Sequence, residues 1–164
     1  MTKSAFVKNK EGLYRLRGCV EPDVIIHQAT AILLEGISDG RELTSATETA
    51  DFLHMALSHE LNEQFSAVFL NHRHQVIAFE KLFQGTIDSA AVHPRVVAQQ
   101  ALFLNAAAVI VAHNHPSNDP EPSRADIHIT EKLKDALALL DIRLLDHFIV
   151  TRKNCVSLAE RGMM

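Results

Sequence analysis

Cysteine is scarce in this chain of 164 residues: Cys19 and Cys155 stand far apart, and neither belongs to a C-x-x-C pair. That argues against a cysteine-built zinc site and makes free thiols in a reducing cytoplasm the default expectation. Long apolar runs are missing as well. No stretch approaches the roughly 20 residues of a membrane-spanning helix, so no membrane association is expected. The N-terminus has lysine but no continuous apolar stretch behind it, so no secretory signal is expected. Positive charge is not in excess. A formal net charge of -4 argues against a stand-alone nucleic-acid binder. Internal repeats and low-complexity tracts are also absent.

What is present fits one ordinary domain with a real core: 47% apolar and 22% charged residues. The first seventeen residues are locally basic, with Lys3, Lys8, Lys10, Arg15 and Arg17 against Glu11. A solvated, poorly ordered arm is the expectation there, ahead of a nucleic-acid contact. Pro22 and Asp23 open a helix to about Leu34, with Ile25, Ala29 and Ile32 on one face and Gly36 as a stop. Ile37 to Leu43 reads as a loop. Residues 1–44 thus form an appendage, and 45–164 the compact body.

In the body, Ser45 and Glu48 make a capping-box pattern. The helix they open places Ala46, Ala50, Leu53 and Leu57 on one stripe and ends near His59. Phe65–Leu70 and Gln75–Phe83 read as an antiparallel hairpin around a polar turn. His93-Pro94 opens another helix. Ala107 to Ala112 is apolar throughout, so both faces of that strand are expected to be covered. A helix follows from Ser123 to Leu140, then a final hairpin of Arg143–Thr151 and Val156–Ala159. The interleaving implies a layered α/β domain, a mixed sheet flanked by helices.

The most informative stretch is His113-Asn114-His115-Pro116, followed by Ser123 and Asp126. Residues two apart on a strand point the same way. Proline holds His115 out of the helical region, so the extended backbone continues. A turn-rich segment, 117–122, then brings the chain back to Asp126. Two histidines and a carboxylate leave a fourth tetrahedral position open, the pattern of a catalytic rather than a structural zinc site. Ser123-Arg124-Ala125-Asp126 also satisfies the capping-box rule, so Asp126 has a helix cap as its alternative role, and Ser123 can both cap and face a metal. His72-Arg73-His74 repeats the His-x-His spacing with no acid after it and is not expected to bind metal. A general base is needed, and Glu60, Glu63 and Glu80 are candidates. Asp146-His147 falls in an apolar strand with its side chains on opposite faces, and reads as structural. His128 lies on a different helix face from Asp126. His93 reads as a surface or capping residue, Cys155 as unreactive, and Arg95 and Arg124 as solvated charges.

His-x-His, seven residues, Ser, two residues, Asp resembles the JAMM signature of MPN+ metalloproteases. More narrowly, the chain resembles the bacterial RadC family over roughly residues 45–162. The words that carry this are Val68-Phe69-Leu70-Asn71, Leu82-Phe83-Gln84-Gly85-Thr86, His93-Pro94-Arg95, His113 to Ser117, Pro122 to Asp126 and Leu144-Leu145-Asp146-His147. The resemblance implies a cytidine-deaminase-like α/β fold and zinc held by His113, His115 and Asp126. It selects Glu63 as the catalytic glutamate and gives Ser123 a part in stabilising the oxyanion. The implied reaction is hydrolysis of a peptide or isopeptide bond in a peptide or protein substrate. Two departures stand out. Asn118 replaces the usual glycine, and the N-terminal segment is shorter than the helix-hairpin-helix-like region of longer RadC proteins. A nucleic-acid role is therefore the weaker expectation. The alternative reading is a non-catalytic RadC-like interaction module, in DNA repair or mobile-element biology, with zinc as a brace. Deamination fits poorly, because H-x-E and P-C-x-x-C are both missing.

Overall fold

A computed structural model describes residues 5–38, 45–85 and 92–164, without the side chains of residues 27 and 33–38. Near the N-terminus, β1 (Phe6–Lys8) pairs antiparallel with β2 (Tyr14–Leu16). This corrects the expectation of a poorly ordered arm. The signal was Asn9, whose Oδ1 accepts the backbone N–H of Glu11 and of Leu13 and so folds the turn. Helix α1 spans Pro22–Ser38 and passes through Gly36. The expected stop fails because a single glycine costs a helix only about 1 kcal/mol. Of the expected face, Ala29 and Ile32 are half-buried but Ile25 is exposed, and Ile26 and Thr30 complete the half-buried side. Ile37 and Ser38 are helical, and the rest of the expected loop lies outside the described residues, as does Thr86.

Helix α2 (Ala46–Leu57) starts where Ser45 accepts the N–H of Glu48, and it buries Phe52, Leu53, Ala56 and Leu57. Strands β3 (Gln64–Leu70) and β4 (Val76–Gln84) form the expected hairpin. Helix α3 (Pro94–Phe103) buries Val97 and Ala101. Strand β5 (Ala108–Asn114) runs on through His113 and is buried at every residue. Helix α4 (Arg124–Ala138) carries the chain from β5 to the parallel strand β6 (Arg143–Val150), and β7 (Cys155–Ser157) closes the edge.

The resulting five-stranded mixed sheet has the order β4-β3-β5-β6-β7. Strand β5 is central, and alternation along it builds two cores. Ala108, Ile110 and Ala112 face α2 with Phe52, Leu53 and Leu57. Val109 and Val111 face α3 and α4 with Val97, Leu133 and Leu137. Because both faces are packed, a site served by β5 has to form at its C-terminal end. The two histidines emerge there, where ligands bind in open α/β sheets generally. Among the described residues, no helix is long and apolar enough to cross a membrane.

Candidate metal centre

His113 ends the packed part of β5, and its ring points to the α4 side, flanked by Phe65 at 6.2 Å between ring centres. The backbone stays extended one step further, and the N–H of His115 bonds to the carbonyl of Val150 at 2.8 Å. The two rings therefore share a side, with their Nε2 atoms 2.8 Å apart. Ser123 caps α4, which fixes the start of that helix and hence Asp126. The carboxylate lies 3.2 Å from His113 Nε2 through Oδ1 and 3.6 Å from His115 Nε2 through Oδ2. The three residues bring ligand atoms within reach of a single ion. Asp126 also fills the competing role, because its Oδ2 accepts the N–H of Ser123 while Ser123 Oγ accepts the N–H of Asp126. The cap is what aims the acid.

The donor set fits zinc. Tetrahedral ligands bonded at about 2.0–2.1 Å stand roughly 3.3 Å apart, close to the spacing here. His115 Nδ1 faces the carbonyl of Asp119 at 2.7 Å. A carbonyl can only accept, so that nitrogen carries a hydrogen and Nε2 turns its lone pair toward the cluster in the neutral ring. Burial alone would raise the Asp126 carboxyl, but hydrogen bonds with His113 and His115 outweigh it and hold the group well below the usual carboxylate range. The His115 imidazole is raised above its ordinary value, first by its hydrogen bond to Asp126, against the opposing effect of burial. An ionised carboxylate between two imidazoles is a place that attracts a cation.

Known proteins share this arrangement of sequence. The family model described as "RadC-like JAB domain" matches residues 43–163. The chain belongs to the RadC family. It is 48% identical to a UPF0758 protein of Vibrio cholerae over 85% of this chain and 88% of the relative. It is 50% identical to one of Marinobacter nauticus and 54% identical to one of Thioalkalivibrio sulfidiphilus, covering 85% and 80% of this chain. It spans 62% and 59% of the length of those two relatives.

Around the RadC cluster, the three candidate acids separate. Glu60 pairs with Lys81, and Glu80 accepts from Gln100 at 2.7 Å. Glu63 is half-buried, and its negative charge is one of those that raise His115. Its loop is tied down by Asn114, the residue between the two histidines. Asn114 Oδ1 accepts the N–H of Gln64 at 2.7 Å, and Nδ2 donates to the carbonyls of Glu60 and Asn62. Asn118 has φ +64° and so adopts the left-handed backbone. Its Oδ1 also accepts the N–H of Arg152, a bond glycine cannot make.

Two participants escaped the sequence reading. His147 is fully buried, as a structural role requires, and its Nε2 also lies 2.8 Å from His113 Nδ1. Thr130 Oγ1 lies 2.6 Å from His147 Nδ1. Burial pushes the His147 imidazole well below its ordinary range. As expected, Asp146 points to the other face, where it accepts from Ser157 Oγ and from the N–H of Ala159. Burial pushes the Cys155 thiol up to about 12, which keeps it inert. His93, Arg95, Arg124 and His128 are exposed, away from the core. A cleft of about 640 Å³ between α1, α2 and the Glu60–Asn62 segment is lined by Asp23, Thr30, His59 and Lys81, and none of the candidate ligands lines it.

Proposed function

We propose that this RadC-family chain is a zinc-dependent metallohydrolase of the JAMM type, cleaving a peptide or isopeptide bond. The observation that carries this is the convergence of His113 Nε2, His115 Nε2 and the Asp126 carboxylate at the open end of β5, with Glu63 near enough to act on His115 through its charge. When bound there, zinc supplies an acidified water and polarises the scissile carbonyl. Glu63 takes the water's proton on its carboxylate and passes it to the leaving amine nitrogen. Ser123 Oγ uses a lone pair to cap α4 and keeps its hydroxyl hydrogen to donate to the developing oxyanion. Asn114 holds the Glu63 loop to the strand that carries both histidines. That ties the base's loop to the end of the strand that presents the two histidines, as catalytic positioning requires.

The same reading takes 45–164 as the catalytic body, of cytidine-deaminase-like architecture, and 1–44 as its appendage. A peptide or protein is the substrate, and the two free cysteines fit a cytoplasmic setting. The test is metal analysis after mild purification. About one zinc per chain is expected, and a trace that adding zinc does not raise would overturn the proposal. Glu63→Gln is then expected to keep zinc and lose turnover on a peptide library by about 10²–10⁴-fold. Unchanged turnover would move the base elsewhere.

A further inference from the structure

Behind the candidate ligands runs a buried line of hydrogen bonds whose direction can be worked out. Thr130 Oγ1 donates its one hydrogen to the backbone carbonyl of Asp126, 2.6 Å away. That carbonyl can only accept. The hydroxyl therefore meets His147 Nδ1, also at 2.6 Å, as an acceptor, and His147 Nδ1 carries a hydrogen. His147 is fully buried, and its two ring nitrogens are taken by Thr130 and His113 rather than by a carboxylate. A neutral imidazole carries a single hydrogen, and here Thr130 takes it at Nδ1, so Nε2 is bare. Bare Nε2 must accept, so His113 Nδ1 is the donor across their 2.8 Å contact. His113 is left with its lone pair on Nε2, the atom that faces His115 and Asp126.

We propose that Thr130 and His147 are positioning residues that fix the tautomer of His113 and thereby set the zinc affinity of the cluster. This rests on reading the cluster as a zinc centre. The relay begins at the Asp126 carbonyl and ends at His113. It therefore links a ligand on α4 to a ligand on β5 through groups that never touch the metal. Partners of this kind, donating to or accepting from a ligand's second nitrogen, orient the ring and tune its basicity. The relay exists only because β6 lies parallel to β5 with His147 opposite Val111, which sets His147 between the strand and α4.

The experiment compares Thr130→Val, which keeps shape but loses the hydroxyl, with Thr130→Ser, which restores it. Zinc affinity is read by competition with a chromophoric chelator. Thr130→Val is expected to weaken zinc by about 10–100-fold, with Thr130→Ser close to the parent. Equal affinity for all three, or Thr130→Ser as weak as a folded Thr130→Val, overturns the proposal. A second measurement covers misfolding of the valine variant and any failure of the zinc reading. In the metal-free parent, ¹⁵N imidazole shifts of His113 are expected to show hydrogen on Nδ1 and a bare Nε2. The reverse pattern overturns the relay. If the parent takes no zinc yet shows the expected shifts, the zinc reading fails, and so does the link from relay to metal affinity.

Discussion

The chain contains His-x-His twice, and the two copies could hardly differ more. His72-Arg73-His74 occupies the turn between β3 and β4. His72 is exposed, and His74 adopts φ +61° and faces the Arg143 guanidinium at 3.0 Å. His113-Asn114-His115 ends a buried strand with both rings on one side. The left-handed residue of that region is Asn118, outside the pair. In one copy a cation already occupies a ring nitrogen, and Gly85 stands at the position that matches Asp126. In the other, the second nitrogen of each ring is engaged by the protein and an ionised carboxylate closes the set. Spacing alone does not make a ligand pair. Extended backbone, a committed second nitrogen and a returning acid do.

The sharpest way to break that contrast is to remove the acid's charge while keeping its cap. In Asp126→Asn, a side-chain oxygen can still accept the N–H of Ser123, so α4 should start unchanged. Zinc affinity is expected to fall by more than the roughly 100-fold upper figure for outer-shell changes, because a ligand itself is altered. Isothermal titration with a circular-dichroism control checks this. Retained affinity would mean that Asp126 is only a cap.

The pattern of strands and helices was readable because the β5 segment is an unbroken apolar run and α4 opens on a capping box. Ser123 and Asp126 were readable as a capping box, which the geometry shows, and the same cap leaves the Asp126 carboxylate beside the two histidines. The N-terminal hairpin was hidden because three-residue strands are too short for alternation to register, and a single Asn turn carries the signal. Thr130 and His147 were hidden for another reason. His147 lies 17 residues from Thr130 and 34 from His113, and only the parallel pairing of β6 with β5 brings it behind His113. Asn114 sat inside the motif, yet its partners, Glu60, Asn62 and Gln64, become visible only once β3 is known to lie beside β5.

Acidity is the next lever. The His115 pKa is raised above 6.5 in the folded chain. That interaction adds stability to the metal-free protein, fully present below 6.5 and lost as pH rises through the folded value. Zinc must displace the same proton. Its affinity is therefore expected to fall about tenfold for each pH unit below the raised His115 value. The thermal shift caused by zinc should widen as pH rises through that range. A shift that stays flat would mean that His115 is not a ligand.

Asn118→Gly tests the turn between the ligands at a smaller scale. Glycine adopts φ +64° without strain but gives up the bond to Arg152 and gains unfolded-state freedom. Loss of about 1 kcal/mol is expected, read as a small drop in melting temperature with zinc stoichiometry unchanged. A gain in stability would show that the Arg152 contact contributes nothing.

The smallest effect belongs to the first His-x-His pair, and its smallness is the point. In His72→Ala with His74→Asn, asparagine tolerates the left-handed backbone, so the turn keeps its shape. The partly exposed contact to Arg143 is lost, at a cost of about 1 kcal/mol or less. Zinc stoichiometry and affinity are expected to match the parent, measured beside Asp126→Asn under one buffer. A loss of bound zinc here would place metal in the β3–β4 turn. Ring spacing would then matter more than the commitment of the second nitrogen, the reverse of what the two regions teach.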